Sequence, residues 1–423
     1  MVTTRRHFLT LMGGAAAAAA TPLDTAPAFA QSGPVKIGVL AIKAGVGALP
    51  GEYGLRGTYW ATDRINAAGG ILGRKIELLI EEESSPKDTV ERFRKLALQN
   101  KADVIVGVIS TGVGLAIGPV AEELKTLWLS WDGTTQKGVE ETMPKPKYAF
   151  RSCDNESEAV MSSILTAKHF KGKIKTVAGI NPDYSYGRDN WAALLAIMKK
   201  YEMGVTPVTD LWPKLGTTDF TSHVAALQQA KPDLIFSSLW AADVSIFLKQ
   251  AHAVGLTAGT KFVFPVAGLV HETLKKAFTP EGMILGYNTM YFEMPNASPL
   301  LKQFTKDHFE KYKEWPSYES DHAYFVIAAY KAAIERAAKA IGGKWPSTDQ
   351  IIQALEGIEV QSLSGTRRYR QDHIMEANFY QGLTTHKNKY DFVTIDPVEV
   401  MTTTQVQKPS GMGLYDWING WKV

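Results

Sequence analysis

The chain has 423 residues, which at roughly 150 residues per domain implies two or three folded units. Hydrophobic residues make up 45% and charged residues 21%, values that exclude a disordered chain. The 46 basic residues nearly balance the 43 acidic ones, which argues against a nucleic-acid binder, and the single cysteine, Cys153, excludes an internal disulfide and a cysteine-built zinc or iron–sulfur site.

Residues 1–30 read as a targeting segment. Arg5 and Arg6 precede Phe8 and Leu9, a small and apolar run follows to Ala20, and Ala28-Phe29-Ala30 has the small-x-small form of a cleavage site. The paired arginines point to twin-arginine export in a bacterium. The apolar run is alanine-rich and shorter than the ~20 residues of a membrane span, so an anchor fits less well.

The mature chain then alternates strands and helices. A strand is predicted over 35–41, followed by a glycine-rich loop and a helix over 55–68 that ends at Gly69-Gly70. A strand at 76–81 leads to a helix opened by Ser85 as cap and Pro86 in its first turn. Strand 103–109, helix 114–124 and strand 126–130 complete the first run. After Arg151 the rhythm restarts: strands at 174–180, 205–211, 234–239 and 262–265, with helices at 187–203, 220–230 and 243–254 between them. Such alternation predicts parallel sheets covered by helices on both faces, and two runs predict two doubly wound α/β lobes. A helical stretch over 298–340 and a strand-rich stretch over 366–401 must return to these lobes, and 414–421 has the pattern of a short packed helix.

In open α/β sheets ligands sit beyond the carboxyl ends of the strands. Two such ends stand out in the first lobe. Ser110 and Thr111 open a helix, where hydroxyls and main-chain N–H groups either receive a carboxylate or phosphate or simply cap the helix. Asp132, Gly133 and Thr134 form the turn after the next strand, either a ligand contact or a plain βα turn. In the second lobe Tyr184 and Tyr186 lie at a strand-to-helix turn, and Trp240 follows another strand, where it either closes over a ligand or packs on the following helix.

An enzyme reading is weaker. Gly112, Gly114 and Gly118 with Asp132 approach a dinucleotide fingerprint, but the last interval is one residue too long and the strand is the third of its lobe. No G-x-S-x-G elbow, H-E-x-x-H pair or Walker lysine loop occurs. His252 reads as structural or solvated, and Asp321-His322 as a helix cap with its neighbour.

The run Asn66-Ala67-Ala68-Gly69-Gly70-Ile71-Leu72-Gly73-Arg74, with Val106 to Gly112, Tyr186-Gly187, Phe247 to Ala251 and Gly365 to Tyr369, resembles the periplasmic Leu/Ile/Val-binding protein family from about residue 35 to 395. The resemblance implies a type I periplasmic binding fold: two Rossmann-like lobes joined by three crossovers near Arg151, Gly286 and Ser364. The lobes would comprise 34–150 with 286–363, and 151–285 with 364–423. It implies a ligand carboxylate held by Thr111 and by Gly133 and Thr134, covered by Tyr186 and by an aromatic at Trp240. The family's acid for a ligand ammonium would fall near Val266, where this sequence has none.

The expected function is therefore that of a periplasmic substrate-binding protein of a branched-chain amino acid-type ABC transporter. It would act as a monomer without a cofactor and deliver a small carboxylate-bearing solute to a permease and ATPase. A sensory receptor domain and, further off, a cofactor-dependent oxidoreductase are the alternatives. Carboxylic acids, aromatic acids, amides and amino acids are the candidate ligands. Val266, and the flat surfaces of Trp131 and Trp240, favour an aromatic or apolar acid over leucine. Asp132, Asp183 or Asp243 would have to serve any ammonium.

Overall fold

The computed structural model describes residues 33–132, 134–152 and 155–420. The signal segment, Gly133 and Cys153 lie outside the described residues.

The first run builds β1 (Val35–Ala41), α1 (Ala48–Ala67), β2 (Ile76–Glu82), α2 (Pro86–Arg94), β3 (Val104–Gly107), α3 (Thr111–Leu124), β4 (Trp128–Ser130), α4 (Gln136–Thr142) and β5 (Ala149–Arg151). Its five strands pair in parallel in the order β2-β1-β3-β4-β5. Period-two alternation sends Val35, Ile37, Val39 and Ala41 into one core and Leu40 into another, so both faces of β1 are apolar, as a covered parallel sheet requires. Ser85 caps α2 by accepting the Asp88 N–H at 3.2 Å, and Pro86 occupies its first turn, as predicted.

The second run builds α5 (Asn155–Phe170), β6 (Thr176–Ile180), α6 (Ser185–Lys200), β7 (Thr206–Leu211), α7 (Thr221–Ala230), β8 (Leu234–Phe236), α8 (Ala242–Ala253), β9 (Lys261–Phe264) and β10 (Ile284–Gly286). The chain then forms α9 (Pro299–Tyr312), α10 (Tyr318–Ala340) and α11 (Thr348–Leu355), which join the first core, α10 packing along α1. A three-stranded antiparallel sheet follows, β11 (Glu359–Ser362), β12 (Gly365–Tyr369) and β13 (Met375–Glu376). Finally β14 (Asn378–Thr385) and β15 (Thr394–Thr402) pair antiparallel on the β10 edge. The second sheet is therefore mixed, in the order β15-β14-β10-β9-β8-β6-β7, where the sequence pattern predicted parallel strands throughout. Two short helices, α12 (Thr403–Val406) and α13 (Leu414–Gly420), close the chain, the second where the pattern placed it.

Two local expectations are corrected. The glycine-rich stretch before residue 55 is helical from Ala48 on, so Gly51 and Gly54 stand in the first two turns of α1 while Gly45 and Gly47 precede it. Its glycines are there for close approach: a Cβ on Gly54 would lie 2.4 Å from the Trp131 ring, and one on Gly57 2.2 Å from the Ser320 carbonyl oxygen. Asp321 does not cap α10. It is fully buried, accepts from Ser362 Oγ, the Leu363 N–H and Ser364 Oγ, and forms an ion pair with Arg367, which is itself 2% exposed. The pair ties the β11–β12 hairpin to α10, and Tyr369 on the same hairpin packs on Phe150 and Phe325 with ring centroids 5.0 and 4.9 Å apart.

Candidate functional site

The carboxyl ends of the two sheets face one another across a shared cavity. From the first sheet come Ile109 and Thr111 after β3 and Asp132 after β4. Asn155 opens α5, directly after the chain leaves the first sheet. From the second sheet come Tyr184 and Tyr186 after β6, Trp240 after β8, and Val266 and Leu269 after β9. Tyr318, the first residue of α10, completes the wall.

Of the residues singled out in the sequence, Thr111, Asp132, Tyr184, Tyr186 and Trp240 line this cavity. Ser110 and Thr134 are not among the lining residues. Thr134 is fully buried, with no partner for its hydroxyl among the described residues, and Gly133 lies outside them. Trp131 is also displaced from expectation: it is wholly buried against Gly54 in the lobe core and contributes no surface to the cavity. Of the three aspartates considered for an ammonium, only Asp132 lines the cavity. Asp183 pairs with Arg188 at 2.6 Å on the surface, and buried Asp243 accepts the Gly216 N–H at 2.9 Å. Ile109, Asn155, Leu269 and Tyr318 carried no sequence signal beyond their places near element ends.

Hydrogen bonds link the walls. Thr111 Oγ1 donates to Asn155 Oδ1 at 3.2 Å, and Asn155 Nδ2 donates to Asp132 Oδ1 at 3.2 Å. On the other side of the cleft the Tyr184 hydroxyl accepts the Trp240 indole N–H at 3.0 Å. The Tyr184 and Tyr186 rings lie 5.8 Å apart.

The electrostatics depart from a ready-made anion site. The main-chain N–H groups of Ile109 and Ser110, which lead into the expected anion site, both donate at 2.8 Å to Glu83, a residue just beyond β2. Burial pushes Glu83 up to about 8, against the opposing pull of those two N–H groups. Beside it, Glu319 on α10 is held well above the usual carboxylate range, first by burial and then by the neighbouring charge of Asp132. His322, one turn further along α10, is held well below the usual imidazole range by burial, and its Nε2 lies 2.8 Å from Thr289 Oγ1. Ligand atoms of Asp132, Glu319 and His322 all fall within 4.8 Å of one another, a spacing that would suit a metal ion. Both carboxyl oxygens of Glu319 are buried there, and neither finds a hydrogen-bond partner among the described residues.

The dinucleotide reading loses its footing at the same place. The helix begins at Thr111, ahead of all three glycines, and a Cβ on Gly118 would come 2.2 Å from Met143 Sδ, so that glycine serves packing between helices. Among the described residues no helix is long and apolar enough to cross a membrane.

Residues 34–385 match the family described as periplasmic binding protein. The chain is similar to the Leu/Ile/Val-binding protein homolog 7 of Brucella suis biovar 1 (strain 1330), at 25% identity over 363 residues, covering 83% of this chain and 86% of the relative. Among solved structures it resembles a solute-binding protein of an ABC transporter from Rhodopseudomonas palustris BisB5 in complex with 3,4-dihydroxybenzoic acid. That match has a TM-score of 0.72 and 22% identity, and covers 86% of this chain and 96% of the other. It also resembles a solute-binding protein of an R. palustris ABC transporter in complex with benzoate, with a TM-score of 0.74 and 20% identity, covering 88% and 97%.

Proposed function

The chain belongs to the periplasmic binding protein family, and from that premise we propose that it is the solute-binding component of an ABC importer. It captures a small molecule between its lobes and presents the closed form to a permease driven by an ATPase. One observation carries this reading: the cavity is walled by both sheets at once, by Thr111 and Asp132 on one side and by Tyr184, Tyr186 and Trp240 on the other. A ligand that touches both walls favours the closed arrangement through contacts it cannot make when they part.

The lobe division that goes with this reading assigns 34–150 with 286–363 to one wall and 151–285 with 364–423 to the other. The aromatic wall suits a compact ligand with a flat or apolar body, and the benzoate and dihydroxybenzoate in the structural neighbours support that body shape. The family works outside the cytoplasm, and the twin-arginine segment is the proposed route there. Replacing Arg5 and Arg6 by Lys should hold precursor in the cytoplasm, and normal export of the double variant would exclude that route.

The test is a thermal-shift panel of acids, amides, amines and amino acids, followed by small-angle scattering with the best ligand. Stabilisation should grow with ligand concentration over Kd, and the scattering should show compaction. Unchanged dimensions at saturation would argue against closure on the ligand.

A further inference from the structure

We infer that the solute carries a cationic nitrogen, seated against Asp132 and enclosed by the rings of Tyr184, Tyr186, Trp240 and Tyr318. The inference rests on reading the cavity as the solute site and assigns the charge of what fills it.

Asp132 is the only carboxylate in the lining, and no Lys, Arg or His stands among the described residues that line the cavity. Asp132 is 6% exposed, so its carboxyl is nearly cut off from water. Behind it lie two further carboxyl groups, Glu83 and Glu319, which act electrostatically on one another and on Asp132. Glu158 acts on Glu319 as well, so among the described residues the charged groups nearest Asp132 are mostly carboxyls, with Arg367 acting on His322 behind them. A ligand carboxylate would enter as another anion, where the Coulomb energy between close charges is large. Two main-chain donors at the tip of β3, those of Ile109 and Ser110, are already taken by Glu83.

The rest of the wall has the opposite preference. Three tyrosines and a tryptophan enclose the space, and aromatic rings attract ammonium groups through the negative faces of their π systems. One carboxylate within an aromatic wall is a composition that stabilises an organic ammonium ion and offers little to an anion. Ile109, Val266 and Leu269 leave the remaining surface for an apolar body.

Benzylamine and benzoate test the sign of the charge, because they share a ring and differ in the head group. Tetramethylammonium tests the aromatic wall. The inference expects calorimetry to show benzylamine and tetramethylammonium binding the intact protein, with benzoate weaker by at least about tenfold. Asp132→Asn should weaken benzylamine about tenfold or more while leaving benzoate unchanged or improved. Benzoate binding tightly while benzylamine fails would overturn the inference and leave the solute-binding function standing. The wild-type comparison decides this even where Asp132→Asn folds poorly. Failure of both probes, and of every compound in the wider thermal-shift panel, would overturn the solute-binding reading with it.

Discussion

The indole N–H of Trp240 donates to the hydroxyl of Tyr184 at 3.0 Å. The two side chains come from different strand tips of the second sheet, after β8 and after β6, and both face the cavity. The bond fixes the indole plane beside the cleft. Trp240→Phe keeps most of the apolar surface and removes that donor. Affinity for the best ligand of the panel should fall roughly fivefold, about 1 kcal/mol, with little change in the unfolding midpoint of the ligand-free protein. Unaltered affinity would mean that the indole only packs on α8.

Asp321 and Arg367 are both wholly enclosed, so removing one partner strands the other's charge. Asp321→Ala should cost about 3–5 kcal/mol in urea unfolding, far more than loss of a surface pair such as Lys306 with Glu310. The double variant with Arg367→Met should be less destabilised than the sum of the single changes, because no uncompensated charge remains. Additive losses would show that the pair is not energetically coupled.

Glu83 makes stability depend on pH in a definite direction. Its carboxyl is raised from the ordinary value to about 8. Below the ordinary value the group is protonated in folded and unfolded chains alike, and its contribution is fully present. Between that value and about 8 the unfolded chain releases the proton and the folded one keeps it, so this contribution falls as pH rises. The stability difference between wild type and Glu83→Gln should therefore shrink by about 1.4 kcal/mol per pH unit across that window. Parallel unfolding curves over the same range would mean that Glu83 is ionised in the folded protein at neutral pH.

Gly57 sits where α1 crosses α10, and a methyl group there would meet the main chain of Ser320, which has no flexible end to move aside. Gly57→Ala should destabilise by about 1–3 kcal/mol, even though alanine in an exposed helix position gains about 1 kcal/mol over glycine. A stabilised variant would show that the two helices can separate without loss.

The βα alternation was legible in the sequence because it rests on signals a few residues long: apolar runs for covered strands, helical spacing, Ser85-Pro86 at a helix start. The strand tips were legible for the same reason, which is why Thr111, Asp132, Tyr184, Tyr186 and Trp240 could be named before their surroundings were known. Which side chains stand opposite one another is set by how distant segments pack, and no local signal encodes that. Asn155 and Tyr318 reach the cavity from the starts of α5 and α10, and Glu83 reaches the Ile109 and Ser110 N–H groups from the neighbouring strand. Asp321 finds Arg367 only once the β11–β12 hairpin has folded onto α10, and β14 and β15 add antiparallel to a sheet whose earlier strands all pattern as parallel. Gly54 and Gly57 show the same division: glycine by itself signals a turn, and only the nearness of Trp131 and Ser320 reveals that here it lets a helix pack closely. Local chemistry determined the elements and their tips, while the charge of the cavity was decided by tertiary packing, which alone sets how far each carboxyl lies from water and from the next.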